Sequence, residues 1–168
     1  YLAAHPEFPY KDATIAAWIP GLGRGAYLKE PNETLAPRAL SIRVEPRFKE
    51  HDPTLNRVKI DLELNVAVVS SAAWVKVPPY VVLPAAGRQF NVSVDPTGLE
   101  PGEAHLARVT GYDTARPSLG PLFEVPITVI KPVSPECCPA LQEAPCFQRM
   151  GLRLSPGSLH RNFVAVPP

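Results

Sequence analysis

Every second residue from Val58 to Val66 is apolar: Val58, Ile60, Leu62, Leu64 and Val66 alternate with Lys59, Asp61, Glu63 and Asn65. Period two is the signature of an extended strand with one face on a core and the other on water, whereas a helix repeats every 3.6 residues. The same period runs through Leu40, Ile42 and Val44, separated by Ser41 and Arg43, and through Phe90-Asn91-Val92-Ser93-Val94. It returns in Leu122 to Ile130, where Phe123, Val125, Ile127 and Val129 alternate and Pro126 sits inside the run. A proline cannot donate to a ladder, so this last strand is expected at an edge or with a bulge.

Between the alternating runs lie turn signals. Asp95-Pro96-Thr97-Gly98-Leu99, followed by Glu100-Pro101-Gly102, offers the fixed φ of proline and the positive-φ tolerance of glycine twice, so the chain is expected to reverse there. Glu103 to Tyr112 then reads as a strand, and Asp113 to Gly120 as the loop before the last one. Two more strands are expected at Trp74-Val75-Lys76-Val77 and at Tyr80 to Leu83, joined through Pro78-Pro79, with Trp74 buried against the face of residues 58–66. Thr14 to Ile19 and Gly25 to Leu28 flank Pro20-Gly21-Leu22-Gly23-Arg24; alanine content allows a short helix at residues 10–19, and a hairpin fits the Pro-Gly turn better. Proline, at 22 of 168 residues, is over twice its average usage of about 5%. The prolines punctuate alternating segments instead of forming low-complexity tracts, the habit of a β protein with many turns. About seven to nine short strands with no long helix give an all-β fold, an immunoglobulin-like or fibronectin-III-like β-sandwich.

The texture changes at Val133. Pro135, Pro139, Pro145 and the three cysteines Cys137, Cys138 and Cys146 make an irregular connector, and β-like patterns reopen at Phe147 to Leu154 and at Phe163 to Val166. The expected organisation is residues 1–11 as the tail of a preceding domain, 12–133 as the sandwich, and 134–168 as a Pro-rich connector with the start of a further β domain. The opening Tyr1-Leu2-Ala3-Ala4-His5-Pro6 has neither an initiator Met nor the basic and apolar regions of a signal peptide, and reads as the middle of an open reading frame.

Charge excludes some partners. Seventeen basic and sixteen acidic residues leave a net charge of +1 and are scattered along the chain, so neither nucleic acid nor an anionic membrane is expected. Apolar runs such as Val66 to Val69 and Tyr80 to Leu83 fall far short of the roughly 20 residues of a membrane span. Three cysteines within one segment do not form a disulfide framework, and they lack zinc-site spacing. Free thiols and a reducing compartment, the cytoplasm, are expected, although Asn32-Glu33-Thr34 and Asn91-Val92-Ser93 match the glycosylation tripeptide.

No constellation carries catalysis, so no catalytic, cofactor-binding or metal-ligating residue is assigned and no cofactor is expected. Gly21-Leu22-Gly23-Arg24-Gly25 has neither the Gly-Lys-Ser/Thr ending of a phosphate loop nor a following helix, and reads as a tight turn. The Gly-x-Ser-x-Gly nucleophile elbow and the Gly-Thr-Ser-Met-Ala setting of subtilisins are absent. His5, His51, His105 and His160 stand in no motif, and Asp113-Thr114-Ala115 lacks the glycine and second copy of an aspartic protease. Trp18, Tyr27, Trp74, Phe90, Tyr112 and Phe123 are spread one per strand, as packing residues are, without the interleaved Lys and Arg of a nucleic-acid platform.

One resemblance is specific. The run Asn91-Val92-Ser93-Val94-Asp95-Pro96-Thr97-Gly98-Leu99, continuing through Val109-Thr110-Gly111-Tyr112-Asp113 to Gly120-Pro121-Leu122-Phe123-Glu124-Val125-Pro126-Ile127-Thr128-Val129, resembles the segment after the protease domain in the tripeptidyl peptidase II family. Arg24 to Pro31, Val44 to Phe48 and Leu154 to Pro167 are similar to the same family. The resemblance implies an accessory sandwich of a giant cytosolic subtilisin-like serine peptidase that removes tripeptides from free N-termini and assembles into large oligomers. Its catalytic residues would precede residue 1, and none maps onto this chain. The implied partners are the protease and other domains of the same polypeptide and neighbouring subunits, with peptide substrate met only through the parent enzyme. A second reading is an extracellular adhesion or ligand-binding sandwich, favoured by the glycosylation tripeptides and opposed by the lack of sandwich-spanning cysteines.

Overall fold

The structure is a computed structural model that describes residues 13–48, 60–133, 153, 155–157, 159 and 161–164. Expectations for Val58, for His5, His51 and His160, for the three cysteines and for residues 1–11 lie outside the described residues.

The alternating segments become strands as their period demands. In chain order they are β1 (Ala13–Trp18), β2 (Ala26–Leu28), β3 (Arg38–Phe48), β4 (Glu63–Ser70), β5 (Val75–Lys76), β6 (Tyr80–Pro84), β7 (Arg88–Val94), β8 (Glu103–Asp113) and β9 (Pro121–Lys131), with one helical turn, α1 (Pro31–Thr34), between β2 and β3. They form a four-stranded sheet of order β1-β3-β7-β5 and a five-stranded sheet of order β2-β9-β8-β4-β6. All pairings are antiparallel except that of β2 with β9. The two inner faces interdigitate as one core: Leu40, Ile42, Val44, Val92 and Val94 from one sheet meet Leu64, Val66, Val109, Val125, Ile127 and Val129 from the other. Each fully buried side chain such as Ile42 or Ile127 contributes about 1.5–3 kcal/mol of apolar transfer.

Several local expectations change. Residues 13–18, within the segment that could have been a short helix, form a strand instead, and the strands flanking Pro20–Arg24 do not pair as a hairpin. The turn itself exists, closed by the Ile19 N–H donating to the Gly23 carbonyl at 2.7 Å with Gly21 and Gly23 at φ +83° and +87°. The strands on either side of it, however, enter different sheets, β1 pairing with β3 and β2 with β9. Pro78-Pro79 likewise separates β5 in one sheet from β6 in the other. Strand β4 begins at Glu63; Ile60 is 80% exposed, and the inward phase starts at Leu62. Trp74 is half-buried at the turn before β5, packed on the rim of the core. In the Asp95–Gly102 reversal only Gly102 needs positive φ (+85°). The rest is held by an Asx turn, with the Thr97 N–H and Oγ1 donating to Asp95 Oδ1 at 3.1 and 2.6 Å.

Strand β9 is not an edge strand, since it lies between β2 and β8, but it does carry the expected irregularity: its register with β8 shifts where Gly111 pairs with Phe123 and Tyr112 with Pro121, several residues before Pro126. Pro126 is tolerated by the register. Its cross-strand partner Arg108 turns its N–H (2.9 Å) and its carbonyl (3.0 Å) to Ser71 on the far side. Pro126 therefore sits in a pair that exchanges no hydrogen bonds with β8, and its missing donor points to the β2 side, where pairing begins only at Ile127. Gly25 makes the approach of β2 possible, since a Cβ there would lie 2.7 Å from the Pro126 carbonyl oxygen.

Candidate interaction surface

The two outer faces differ in how much apolar side chain they expose. On the four-stranded sheet the outward positions of β3, β7 and β5 are Ala39, Ser41, Arg43, Glu45, Gln89, Asn91, Ser93 and Lys76, a largely polar surface on which the Gln89 amide donates to Ser41 Oγ at 2.7 Å, and β1 adds Thr14, Ala16 and Trp18 at its edge. This is the expected solvated face of a sandwich. Asn91, the second glycosylation-type asparagine, points outward there from the middle of β7.

On the five-stranded sheet the outward positions are mixed, with exposed apolar and aromatic side chains set among Thr128, Thr110, Asn65, Arg108 and Glu124. The register aligns Tyr27 of β2 with Thr128 of β9, and Thr128 with Leu106 of β8, in one row. Farther along the strands, Val69 stands opposite Thr110, and Ala67 lies between Tyr112 and Tyr80. Tyr27 is 57% exposed, Leu106 55%, Val69 52% and Tyr80 65%. The face's central charges are Arg108 and Glu124, joined at 3.5 Å and open to water, so the pair adds little stability.

At one end this face is covered. Ile130 has the outward phase of Thr128, yet is only 7% exposed and stands outside the main core cluster. Its cross-strand partner Ala104, with Leu159 and Phe163, lines a cleft of about 400 Å³. The Phe163 N–H donates to the Gly102 carbonyl at 3.1 Å, its carbonyl accepts from Val133 at 2.9 Å, and Val133 and Val164 form a parallel bridge. Phe163 and Val164 therefore lie beside that end of the sheet.

The seam between β1 and β9 holds a second cleft of about 390 Å³, lined by Thr14 to Trp18, Arg24, Arg47, Phe123 and Glu124, with the Arg47 guanidinium 5.9 Å from the Trp18 ring centre. Neither histidine nor cysteine lines it. Elsewhere, the titratable groups raised by the sequence have local structural tasks. One Asp113 carboxylate oxygen accepts from the Ala115 N–H at 2.9 Å, closing the loop that Thr114 ties to the Asn65 carbonyl. His105 Nε2 lies 2.9 Å from the Glu100 carbonyl. Glu33 receives the N–H groups of Lys29 and Glu30 and the Arg38 guanidinium at 3.0 Å. Burial pushes its carboxyl up, but those hydrogen bonds and the Arg38 charge outweigh burial and hold it below the usual range. Among the described residues, no three His, Cys, Asp or Glu side chains converge as a metal site, and no helix is long and apolar enough to cross a membrane.

Sequence reasoning assigned Tyr27 to packing, and the structure corrects this by placing it on the exposed row. It also missed the row itself. The signals were present: Val68-Val69 breaks the alternation of a half-buried strand, and Leu106 is apolar in the polar phase of β8.

Two packed, largely antiparallel sheets around one core define an immunoglobulin-like sandwich module. Residues 19–130, nearly the whole sandwich, match the family described as tripeptidyl-peptidase II, first Ig-like domain, and the chain belongs to that family. Tripeptidyl-peptidase 2 of Caenorhabditis elegans is 38% identical over 109 residues, 65% of this chain and 8% of the relative. That of Arabidopsis thaliana is 32% identical over 171 residues, 99% of this chain and 12% of the relative. The crystal structure of tripeptidyl peptidase 2 superposes with a TM-score of 0.67 at 28% identity, covering 79% of this chain and 11% of the other. The chain thus spans about a tenth of the length of the relatives it matches.

Proposed function

We propose that this chain is a non-catalytic accessory module of a giant cytoplasmic serine exopeptidase of subtilisin type that releases tripeptides from the free N-termini of peptides and works as an oligomer. The observation that carries this reading is the match of the sandwich to a non-protease domain of a peptidase family, in a chain covering 8% and 12% of two such peptidases. The site chemistry agrees: Asp113, His105 and Glu33 are engaged in loops and turns rather than facing a shared cleft. Acyl transfer needs a nucleophile, a base and oxyanion donors assembled at one point. The module's task is to hold the protease domain, and through it the assembly, in place.

The test uses a tripeptide-amide fluorogenic substrate with a free N-terminus. A polypeptide spanning the relatives' full length should turn it over, and the 168-residue chain alone should not. Turnover by the short chain that survives repurification, or stoichiometric fluorophosphonate labelling of one of its serines, would overturn the reading.

A further inference from the structure

We propose that the outer face of the five-stranded sheet, centred on Leu106 and Tyr27, is permanently covered by another domain of the same long polypeptide, whereas the outer face of the four-stranded sheet stays in water. The proposal rests on the accessory reading and names the surface through which the module acts.

Three observations select the face and its occupant. First, the two faces differ: the outward phase of β3 and β7 is polar apart from Ala39, and the edge strand β1 adds Ala16 and a half-buried Trp18 beside Arg47, while β2, β8, β4 and β6 present Tyr27, Leu106, Val69 and Tyr80, each more than half exposed. Exposed apolar and aromatic side chains gathered on one face, interspersed with a few neutral polar residues and a central ion pair, are the composition of docking surfaces on protein domains. Second, the face is already covered at one end, where Ile130 is buried and the segment around Phe163 is hydrogen-bonded to Gly102 and Val133. The exposed row Tyr27–Thr128–Leu106 is the next row along the same strands, so the uncovered surface continues a covered one.

Third, size decides between a second copy and a tethered neighbour. Five strands at about 4.8 Å spacing, over the roughly 20 Å from the Leu106 row to the Tyr112 row, offer at most about 500 Å², since the outer strands β2 and β6 are short. With an equal area on the partner, the contact would bury at most about 1,000 Å², the lower limit for a free-standing specific interface. A tethered partner needs less, because a linker supplies an effective concentration in the millimolar range. The relatives supply such a neighbour, being far longer than this chain.

The experiment compares cysteine variants Leu106→Cys and Ser93→Cys, one on each outer face, in the 168-residue chain and in the full-length polypeptide, with maleimide labelling resolved by peptide mass spectrometry so that native cysteines do not interfere. In the short chain both should label at similar rates. In the full-length polypeptide Leu106→Cys should label at least about tenfold more slowly, the protection that a docking free energy of about 1.4 kcal/mol gives, while Ser93→Cys is unchanged. Protection that disappears on dilution to single subunits would assign the face to a second copy and overturn the tethered occupant. Equal labelling of Leu106→Cys in both chains would overturn the covered face. Because Cys at 106 could itself weaken docking, hydrogen exchange of the unsubstituted β8 and β2 peptides in both chains provides a second readout: slower exchange only in the full-length polypeptide is expected, and no difference refutes the proposal. Full-length protein that releases tripeptides but shows neither protection would leave the accessory reading standing while this inference falls; a full-length chain without that activity would sink the accessory reading itself.

Discussion

Replacing Gly111 by alanine puts one methyl group where Phe123 already is. The two residues face each other across β8 and β9, and a Cβ on Gly111 would fall inside the contact radius of the Phe123 ring, with Cδ1 at 2.9 Å and Cε1 and Cζ nearer still. The ring cannot simply slide away, because it is 7% exposed and Phe90 lies 6.4 Å off, centre to centre. Overpacking of a well-filled core costs about 1–3 kcal/mol. If the ring leaves its site altogether the cost approaches the roughly 3–5 kcal/mol of deleting it. Replacing a strand glycine returns about 0.5–1 kcal/mol of backbone entropy. A net loss of about 1–3 kcal/mol is expected, which at about 4 °C per kcal/mol lowers the melting temperature by about 4–12 °C. Circular dichroism melts of Gly111→Ala, Phe123→Leu and the double variant would measure it. Removing the ring edge should rescue the methyl, giving a favourable coupling of about 1–2 kcal/mol. A Gly111→Ala variant melting within about 1 °C of the parent, or strictly additive losses, would refute the idea that Phe123 packs on the glycine.

Ile42→Ala, at a position with no exposure in the centre of β3, should cost about 2–5 kcal/mol and lower the denaturant midpoint accordingly. Gly25→Val should push β2 off β9, since its side chain would strike the Pro126 carbonyl; faster hydrogen exchange confined to Ala26–Leu28 and Ile127–Val129 is the expected signature. Glu33 has a carboxyl held lower in the folded chain than in the unfolded one, so its contribution is present above the ordinary carboxylate range and is lost as pH falls through its folded value; Glu33→Gln should flatten that part of the acid limb in stability-versus-pH titrations. Asp113→Ala should free the Ala115 N–H and cost about 1–2 kcal/mol, measured by chemical denaturation.

The inward set of the sandwich was legible in the sequence. Leu40, Ile42, Val44, Leu62, Leu64, Val66, Val92, Val94, Val125, Ile127 and Val129 were assigned to a buried phase by alternation alone, and each is buried. The reversal after Val94 was legible for the same reason, since Asp95, Pro96 and Gly102 act on the backbone within a few residues of themselves. Ile60 was misread because alternation states which residues share a face and not where the strand begins.

Pairing was not legible. The Pro-Gly turn after Ile19 is as good a hairpin turn as any, yet β1 and β2 part into different sheets because their best partners are β3 and β9. Those partners lie tens of residues away, and no local pattern encodes them. The candidate surface is a product of the same pairing. Tyr27, Thr128 and Leu106 come from three strands scattered over the chain and become a row only through the registers of β2 with β9 and of β9 with β8. By itself the sequence determined which side of each strand faces the core, because side-chain direction alternates with the backbone and needs no neighbour. Only the tertiary structure decided which outward side chains stand together, because that depends on hydrogen-bond registers between segments that meet solely in the folded chain.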